Sequence, residues 1–470
     1  MGLTIGCPAD VKLGDAAGFG AGGPMTDRSD ANVVIPDFQR FRQDLEAIFD
    51  EAATAEGGKV ADYIPQLGRV DPDQFGVAAC TIDGQRWQRG DADVDFCVQS
   101  CCKPINYALA LEAHGEAYVH RHVGREPSGR GFNELALNAD GLPHNPLVNA
   151  GGIMCCALLA PNAPIADRFD YVMDRWRALA GGTKPGFSNA TYLSERATAD
   201  RNFALGYYMQ ERKAFPPGTH LLETLEFYFQ CCSIEQTCAS LSVVAATLAN
   251  GGVCPITGEV VLQPKTVQHT LSLMSSCGLY DFSGEFAFTI GLPAKSGVAG
   301  AILVVVPNVL GFAVWSPRLD RAGNSVRGVA FCRGLVERFN FHPYDSLTGA
   351  SSKRDPRRRD GGAEAAALVH AASVGDLAAI RRFAARHVPL DAASHDGRTA
   401  LHLAAADGHL EVVRYLLASG VAFAPRDRWG HTPLDDARRA GQAEIVAALT
   451  ESAKRAPSGD GGPPPTAPGA

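Results

Sequence analysis

The chain has 470 residues, 46% hydrophobic and 20% charged, with 43 basic against 51 acidic side chains and a formal net charge of −8. At roughly 100–200 residues per domain that length allows two to four domains with at least one large core. The mildly acidic balance excludes a basic nucleic-acid binder, and no apolar run reaches the ~18 residues of a membrane span, so neither nucleic acid nor membrane is an expected partner.

In chain order, residues 1–35 are rich in Gly, Ala and Asp without periodicity and are expected to be a flexible N-terminus. They hold neither an apolar signal core nor the acid-poor, Arg-rich texture of a transit peptide, so the expected compartment is the cytoplasm. Phe75 to Ile82, the turn Asp83-Gly84 and Gln85 to Arg89 predict a β-hairpin. A helix is expected from Ser100 to His114, stopped by Gly115. The middle predicts helices over Ala166–Ala180, Glu195–Lys213, Thr219–Gln230 and Ile234–Leu248. Two apolar strands, Gly297–Val306 and Val309–Trp315, flank Pro307-Asn308 and predict a second hairpin. Strands at both ends with helices between imply an α+β domain: one antiparallel sheet packed by helices, plus a helical subdomain. Pairing of the first and last hairpins is inferred. The thirteen cysteines include three adjacent pairs and no C-x-x-C, which reads as small buried thiols in a reducing compartment.

Beyond this domain, residues 346–362 form a polar linker with a basic cluster. Gly375, Gly408 and Gly441 then recur every 33 residues, as do Thr399 and Thr432. The period, with Thr399-Ala400-Leu401-His402 opening a helix pair, resembles the ankyrin repeat. About three repeats are expected over 363–453 as a small all-α domain, each stacking on its neighbour. A Pro/Gly-rich tail at 454–470 is expected to be disordered. The catalytic domain is placed at 36–345.

Chemistry first appears at Ser100-Cys101-Cys102-Lys103, the one S-x-x-K of the chain. At a helix start, residues i and i+3 share a face, so the Lys103 amine can reach the Ser100 hydroxyl and serve as its base. Free N–H groups at the helix tip favour a developing oxyanion. Lys295-Ser296-Gly297 stands where the second hairpin begins, as K-T-G does in S-x-x-K acyl-transfer enzymes. Alone, each motif also fits a plain helix start or a turn before a strand. Together, in this order, they point to serine acyl transfer.

Longer strings narrow the class. V-A-D-Y-I-P-Q-L (60–67), Q-S-C-C-K-P (99–104), H-N-P-L-V-N-A-G (144–151), S-E-R-x-x-x-D-R-N-F (194–203), Y-F-Q-C-C-S-I-E (228–235), S-C-G-L-Y-D-F-S-G (276–284) and G-L-P-A-K-S-G-V-A-G (291–300) resemble the serine-dependent glutaminases, and among them the ankyrin-bearing animal type. The resemblance implies a β-lactamase-like fold and hydrolysis of L-glutamine to glutamate and ammonia. It implies Ser100 as nucleophile, Lys103 as its activating partner and Tyr280 as the phenol that passes a proton to the leaving ammonia. Backbone N–H groups of Ser100 and Val298 would form the oxyanion hole, and Tyr63, Asn149, Glu195, Asn202 and Tyr228 would hold the substrate. A buried carboxylate suits the ammonium of a free amino acid, while amides and phenols suit its carboxylate.

Base catalysis requires Lys103 to be neutral, which burial and a nearby Lys295 would favour; Tyr280 as phenolate is the rival base. No metal or cofactor is expected. The resemblance also implies a homodimer or homotetramer, and it admits a mitochondrial location. The repeats would bind a protein or dock on the catalytic domain. The family's gating loop matches Ser128–Asn138 but has a lysine where Glu134 stands and an aromatic where Ala136 stands. An acid at that place repels phosphate, so activation by phosphate is not expected. Two alternatives remain, a β-lactamase or peptidase of the same fold and an inactive ankyrin scaffold. The missing S-D-N element argues against the first, and the complete residue set argues against the second.

Overall fold

The computed structural model describes residues 34–129, 134–345, 353–357, 362–385 and 388–455. The expected N-terminal arm (apart from Val34 and Ile35), most of the linker, the tail beyond Arg455 and Arg130–Asn133 of the gating loop lie outside those residues.

The first hairpin forms from β1 (Gly76–Thr81) and β2 (Arg86–Gly90), turning through Gly84 at φ +89°, a conformation that only glycine adopts at low cost. Two short strands follow, β3 (Phe96–Cys97) and β4 (Gly186–Phe187), then β5 (Ile234–Gln236). Near the end of the domain lie β6 (Ala294–Ser296), β7 (Ala301–Val306) and β8 (Leu310–Trp315). The main sheet is antiparallel with order β2-β1-β8-β7-β6, and the inferred union of the two hairpins is the β1–β8 ladder from Gly76 opposite Trp315 to Thr81 opposite Leu310.

β1, β7 and β8 are buried on both faces, so they read as unbroken apolar runs rather than as alternation. One face is covered by the helices Phe38–Ala53 and Val326–Arg338, with Phe41, Phe312, Phe331 and Phe339 in the shared core. The other face carries Cys238–Ala249, which approaches so closely that a Cβ on Gly311 would stand 2.3 Å from the Ala246 nitrogen. A helical subdomain built from Asn149–Leu158, Ile165–Leu179, Asn189–Ala197, Asp200–Glu211 and Leu221–Cys232 adjoins this layer. All described cysteines are buried and unbridged. Among the described residues no helix is long and apolar enough to cross a membrane.

Three expected elements differ. Glu195–Lys213 is two helices, because Thr198 closes the first: its N–H donates to Glu195 O and its hydroxyl to Ser194 O. Ile234–Leu248 begins as strand β5, paired with β3 and β4, and turns helical only after Thr237, which exchanges hydrogen bonds with Ser240 in a capping box. Lys295 and Ser296 do not open the first strand of the hairpin. They lie in their own edge strand β6, separated from β7 by the turn Gly297–Gly300.

The repeats form helix pairs Gly362–Ser373 with Leu377–Ala385, Ala400–Ala406 with Leu410–Ala418, and Pro433–Arg439 with Ala443–Arg455. Leu368, Leu401, Val412, Leu416, Ile445 and Leu449 share one core. The periodic glycines sit at φ +72°, +84° and +72°, each ending the first helix of its pair.

Candidate active site

The helix Cys102–His114 is entered through a tight turn, Gln99–Cys101, that runs straight into it. Gln99 is held at φ +46°, a backbone region that non-glycine residues adopt at a cost of roughly 1–3 kcal/mol. Its side chain over-determines that conformation by donating to Glu195 Oε2 at 3.1 Å and to the Cys232 carbonyl at 3.2 Å. The result presents Ser100, only 7% exposed, beside Lys103 with no exposure at all. The Lys103 amine lies 2.7 Å from Ser100 Oγ and donates to Asn149 Oδ1 at 2.9 Å. Burial pushes the Lys103 ammonium below the usual lysine range, although Cys232, Cys102 and Glu195 pull the other way.

Asn149 opens its own helix behind the H-N-P-L-V turn, where Asn145 Oδ1 accepts from the amides of Leu147 and Val148. Asn149 Nδ2 donates to Asn202 Oδ1 at 2.9 Å, and the Tyr228 phenol donates to Asn149 Oδ1 at 3.3 Å. A chain of side chains therefore joins four separate helices around one amine. Room for that amine comes from Gly152: a Cβ there would stand 2.9 Å from Lys103 Cε and 2.9 Å from Tyr228 Cε2.

Glu195 is buried on the far side of Ser100, and its carboxyl is pushed up to about 7 by burial, against the hydrogen bond from Gln99 and the charge of Lys103. A buried carboxylate held by neutral donors, with no ion pair of its own among the described residues, can receive a cation. Tyr280 closes the site from the third side. Its backbone is at φ +55°, and its phenol donates to the Ser296 carbonyl at 3.2 Å. Burial pushes the phenol above its ordinary range, opposed most by a hydrogen bond with the Ser100 side chain, which puts the two hydroxyls in contact. Tyr63 is half exposed, within electrostatic reach of both Tyr280 and Glu195.

The late strand meets the helix tip directly. Cys101 Sγ donates to the Lys295 carbonyl at 3.2 Å, and a Cβ on Gly297 would lie 2.7 Å from Val98 O. This contact sets Val298 next to Ala61 and Leu319, near Tyr280. The Val298 amide has no hydrogen-bond acceptor among the described residues, and Ser100, in the first turn of its helix, has no intrahelical one. Two N–H groups are thus free to face a carbonyl oxygen.

Hydrogen bonds join Ser100, Lys103, Asn149, Asn202 and Tyr228, and Glu195, Tyr280 and Tyr63 lie within electrostatic reach of that group. Sequence reasoning overlooked Gln99, Gly152 and Cys232, the last of which hydrogen-bonds to Glu195. Burial, rather than Lys295, is the main cause that lowers Lys103; in the reverse direction burial and then Lys103 hold the Lys295 ammonium down to about 7. Among the described residues no group of three or more His, Cys, Asp or Glu is arranged to hold a metal ion. Within the gating loop Glu134 is exposed and Ala136 half-buried.

A family model described as Glutaminase matches residues 58–344, and one for ankyrin repeats in three copies matches 368–457. The chain is 51% identical over 422 residues to the glutaminase liver isoform, mitochondrial, of Rattus norvegicus, spanning 89% of this chain and 70% of that protein. Among solved structures, a probable glutaminase, ybaS, aligns with TM-score 0.61 and 36% identity over 63% of this chain and 96% of its own. A probable glutaminase from Bacillus subtilis, solved with 6-diazo-5-oxo-L-norleucine, aligns with TM-score 0.57 and 30% identity over 65% of this chain and 96% of its own.

Proposed function

The chain belongs to the glutaminase family, and we propose that it hydrolyses L-glutamine through a covalent glutamyl ester on Ser100. The observation that carries this reading is the fully buried Lys103 amine 2.7 Å from the Ser100 hydroxyl. A lysine whose charged form burial disfavours can, once neutral, take the hydroxyl proton as the oxygen attacks the side-chain amide of glutamine. The C–N bond then breaks, ammonia leaves with a proton delivered by Tyr280, and the acyl group stays on Ser100. In the second half water gives one proton to the Tyr280 phenolate as its oxygen adds to the ester, and Lys103 returns its proton to Ser100 Oγ as the ester C–O bond breaks, releasing glutamate. The Ser100 and Val298 amides hold the negative oxygen in both halves.

Substrate recognition follows from charge. Glu195 receives the α-ammonium, while Asn149, Asn202, Tyr228 and Tyr63 offer neutral donors to the α-carboxylate. A ligand lacking either charge leaves buried groups unpaired, which costs selectivity factors of about 10⁴ or more. The diazo-norleucine found with the Bacillus subtilis relative is an amino acid of glutamine's length, which supports this reading. Residues 36–345 are the proposed catalytic domain and 363–453 the proposed repeats, within a homodimer or homotetramer whose repeats bind a protein or dock on the catalytic domain. We place the protein in the cytoplasm; the unbridged thiols fit a reducing compartment, and fractionation of cells tests the cytoplasm against the mitochondrion that the rat protein's name carries.

The test is ammonia release from L-glutamine and L-asparagine by the wild type and by Ser100→Ala. The wild type is expected to prefer glutamine, and the variant to lose about 10⁴-fold or more in kcat. A variant with full activity would contradict the serine pathway.

A further inference from the structure

Lys295 is a second lysine with no exposure, and the acyl-transfer steps give it no task. Its amine donates to the Gly278 carbonyl at 2.9 Å and to the Ser296 carbonyl at 2.6 Å. It also lies 4.3 Å from the centroid of the Tyr280 ring. Gly278 ends the helix Pro264–Cys277 two residues before Tyr280, and its carbonyl accepts from the Ser296 amide at 3.2 Å as well. No side chain fits there, because a Cβ on Gly278 would be 1.7 Å from Ala294 O.

We propose that Lys295 is a positioning residue for Tyr280, fastening the strained turn that bears the phenol to strand β6 through a carbonyl, Ser296 O, to which both side chains donate. The proposal rests on the reading of Tyr280 as the proton-passing phenol and deepens it.

Three observations carry it. First, Tyr280 at φ +55° needs outside restraint, since an isolated non-glycine residue relaxes out of that region. Ser283 supplies part of that restraint, accepting from the Leu279 amide at 2.9 Å and donating to Tyr280 O at 2.7 Å. Lys295 supplies the rest from the other side of the turn. Second, the shared acceptor is unevenly divided, 2.6 Å to the amine and 3.2 Å to the phenol. With the carbonyl already engaged, the phenol proton is weakly held and available to the leaving nitrogen. Third, the two carbonyl acceptors match the two N–H bonds of a neutral amine. The groups facing this amine are Lys103, Cys101, Cys102, Cys277 and Tyr280, and burial with the Lys103 charge brings it to about 7. It can therefore lose its charge near neutrality and still hold both carbonyls.

The experiment is a double-mutant cycle in the full chain with Lys295→Met, Tyr280→Phe and the pair, measuring kcat and KM for glutamine. Lys295→Met is expected to lower kcat roughly 10- to 100-fold with KM within about threefold, and the pair to be no slower than Tyr280→Phe alone. Losses that multiply, or a rise in KM at unchanged kcat, would overturn the proposal. Full activity in Tyr280→Phe would instead remove the underlying reading of the phenol, a result distinct from additivity. The same cycle run with Lys295→Gln, which keeps an uncharged donor, decides the matter on whichever variant folds.

Discussion

The catalytic domain and the repeats bury polar side chains for opposite ends. In the repeats many partners are close along the chain: Thr432 accepts from the Asp435 amide, Thr399 pairs with His402, and Asp427 accepts from the amides of Trp429 and His431, while the longer bonds, Arg398 to Asp436 and His402 with the His431 carbonyl, tie one repeat to the next. Each such group satisfies a helix end or a turn that the same few residues create. At the active site the partners are distant. Lys103 reaches Asn149, 46 residues away, and Gln99 reaches Glu195, 96 residues away. There burial leaves ionisable groups far from their ordinary pKa, with Glu195 and Lys295 both brought to about 7. In the repeats polar burial holds helix ends and neighbouring repeats together. At the site it leaves ionisable groups poised for chemistry.

Substitutions on the two sides should separate accordingly. After Ser100→Ala, the largest effect is expected at Glu195→Gln, which removes the proposed partner of the substrate ammonium and should raise KM about 10²-fold. The wild-type carboxyl, held up to about 7, protonates as pH falls through that value, so KM should climb on the acid side in the wild type and stay flat in the variant. Steady-state kinetics from pH 5.5 to 8.5 read both, and a variant that keeps the acid limb would assign it to another group. Gly152→Ala should come next, with a methyl 2.9 Å from Lys103 Cε displacing the amine. A loss of about 10-fold or more in kcat at nearly constant KM is expected, and an unchanged kcat would mean that Lys103 has slack. The smallest effect belongs to the repeats. Thr432→Ala should cost about 1 kcal/mol in urea unfolding of that region and leave kcat within about twofold. A kcat loss there would show that the two regions are energetically joined.

How much could be read from the chain follows the same divide. The repeats were legible because a 33-residue period places a left-handed glycine and a capping threonine at fixed intervals. The double hairpin was legible because three of its four strands are apolar runs and the turns Asp83-Gly84 and Pro307-Asn308 mark their ends. At the site, Ser100 with Lys103 was visible as a one-turn spacing, and the binding residues came from whole strings that resemble a family. Gln99 and Gly152 carry no local signal. Gln99 matters through a backbone angle and a partner almost a hundred residues on, and Gly152 through what a methyl would strike on another helix. The misread helices show the same limit from the other side: Ile234–Gln236 became a strand because β3 and β4 needed a partner, a demand set by tertiary packing rather than by propensity.

The central claim is that acyl transfer passes through the hydroxyl of Ser100. Acid-quenching the enzyme during glutamine turnover and mapping its peptides by mass spectrometry tests this most directly. A glutamyl adduct on the peptide containing Ser100, lost in Ser100→Ala, is the expected result; steady turnover with no adduct on any quench timescale, or an adduct on another residue, would contradict it.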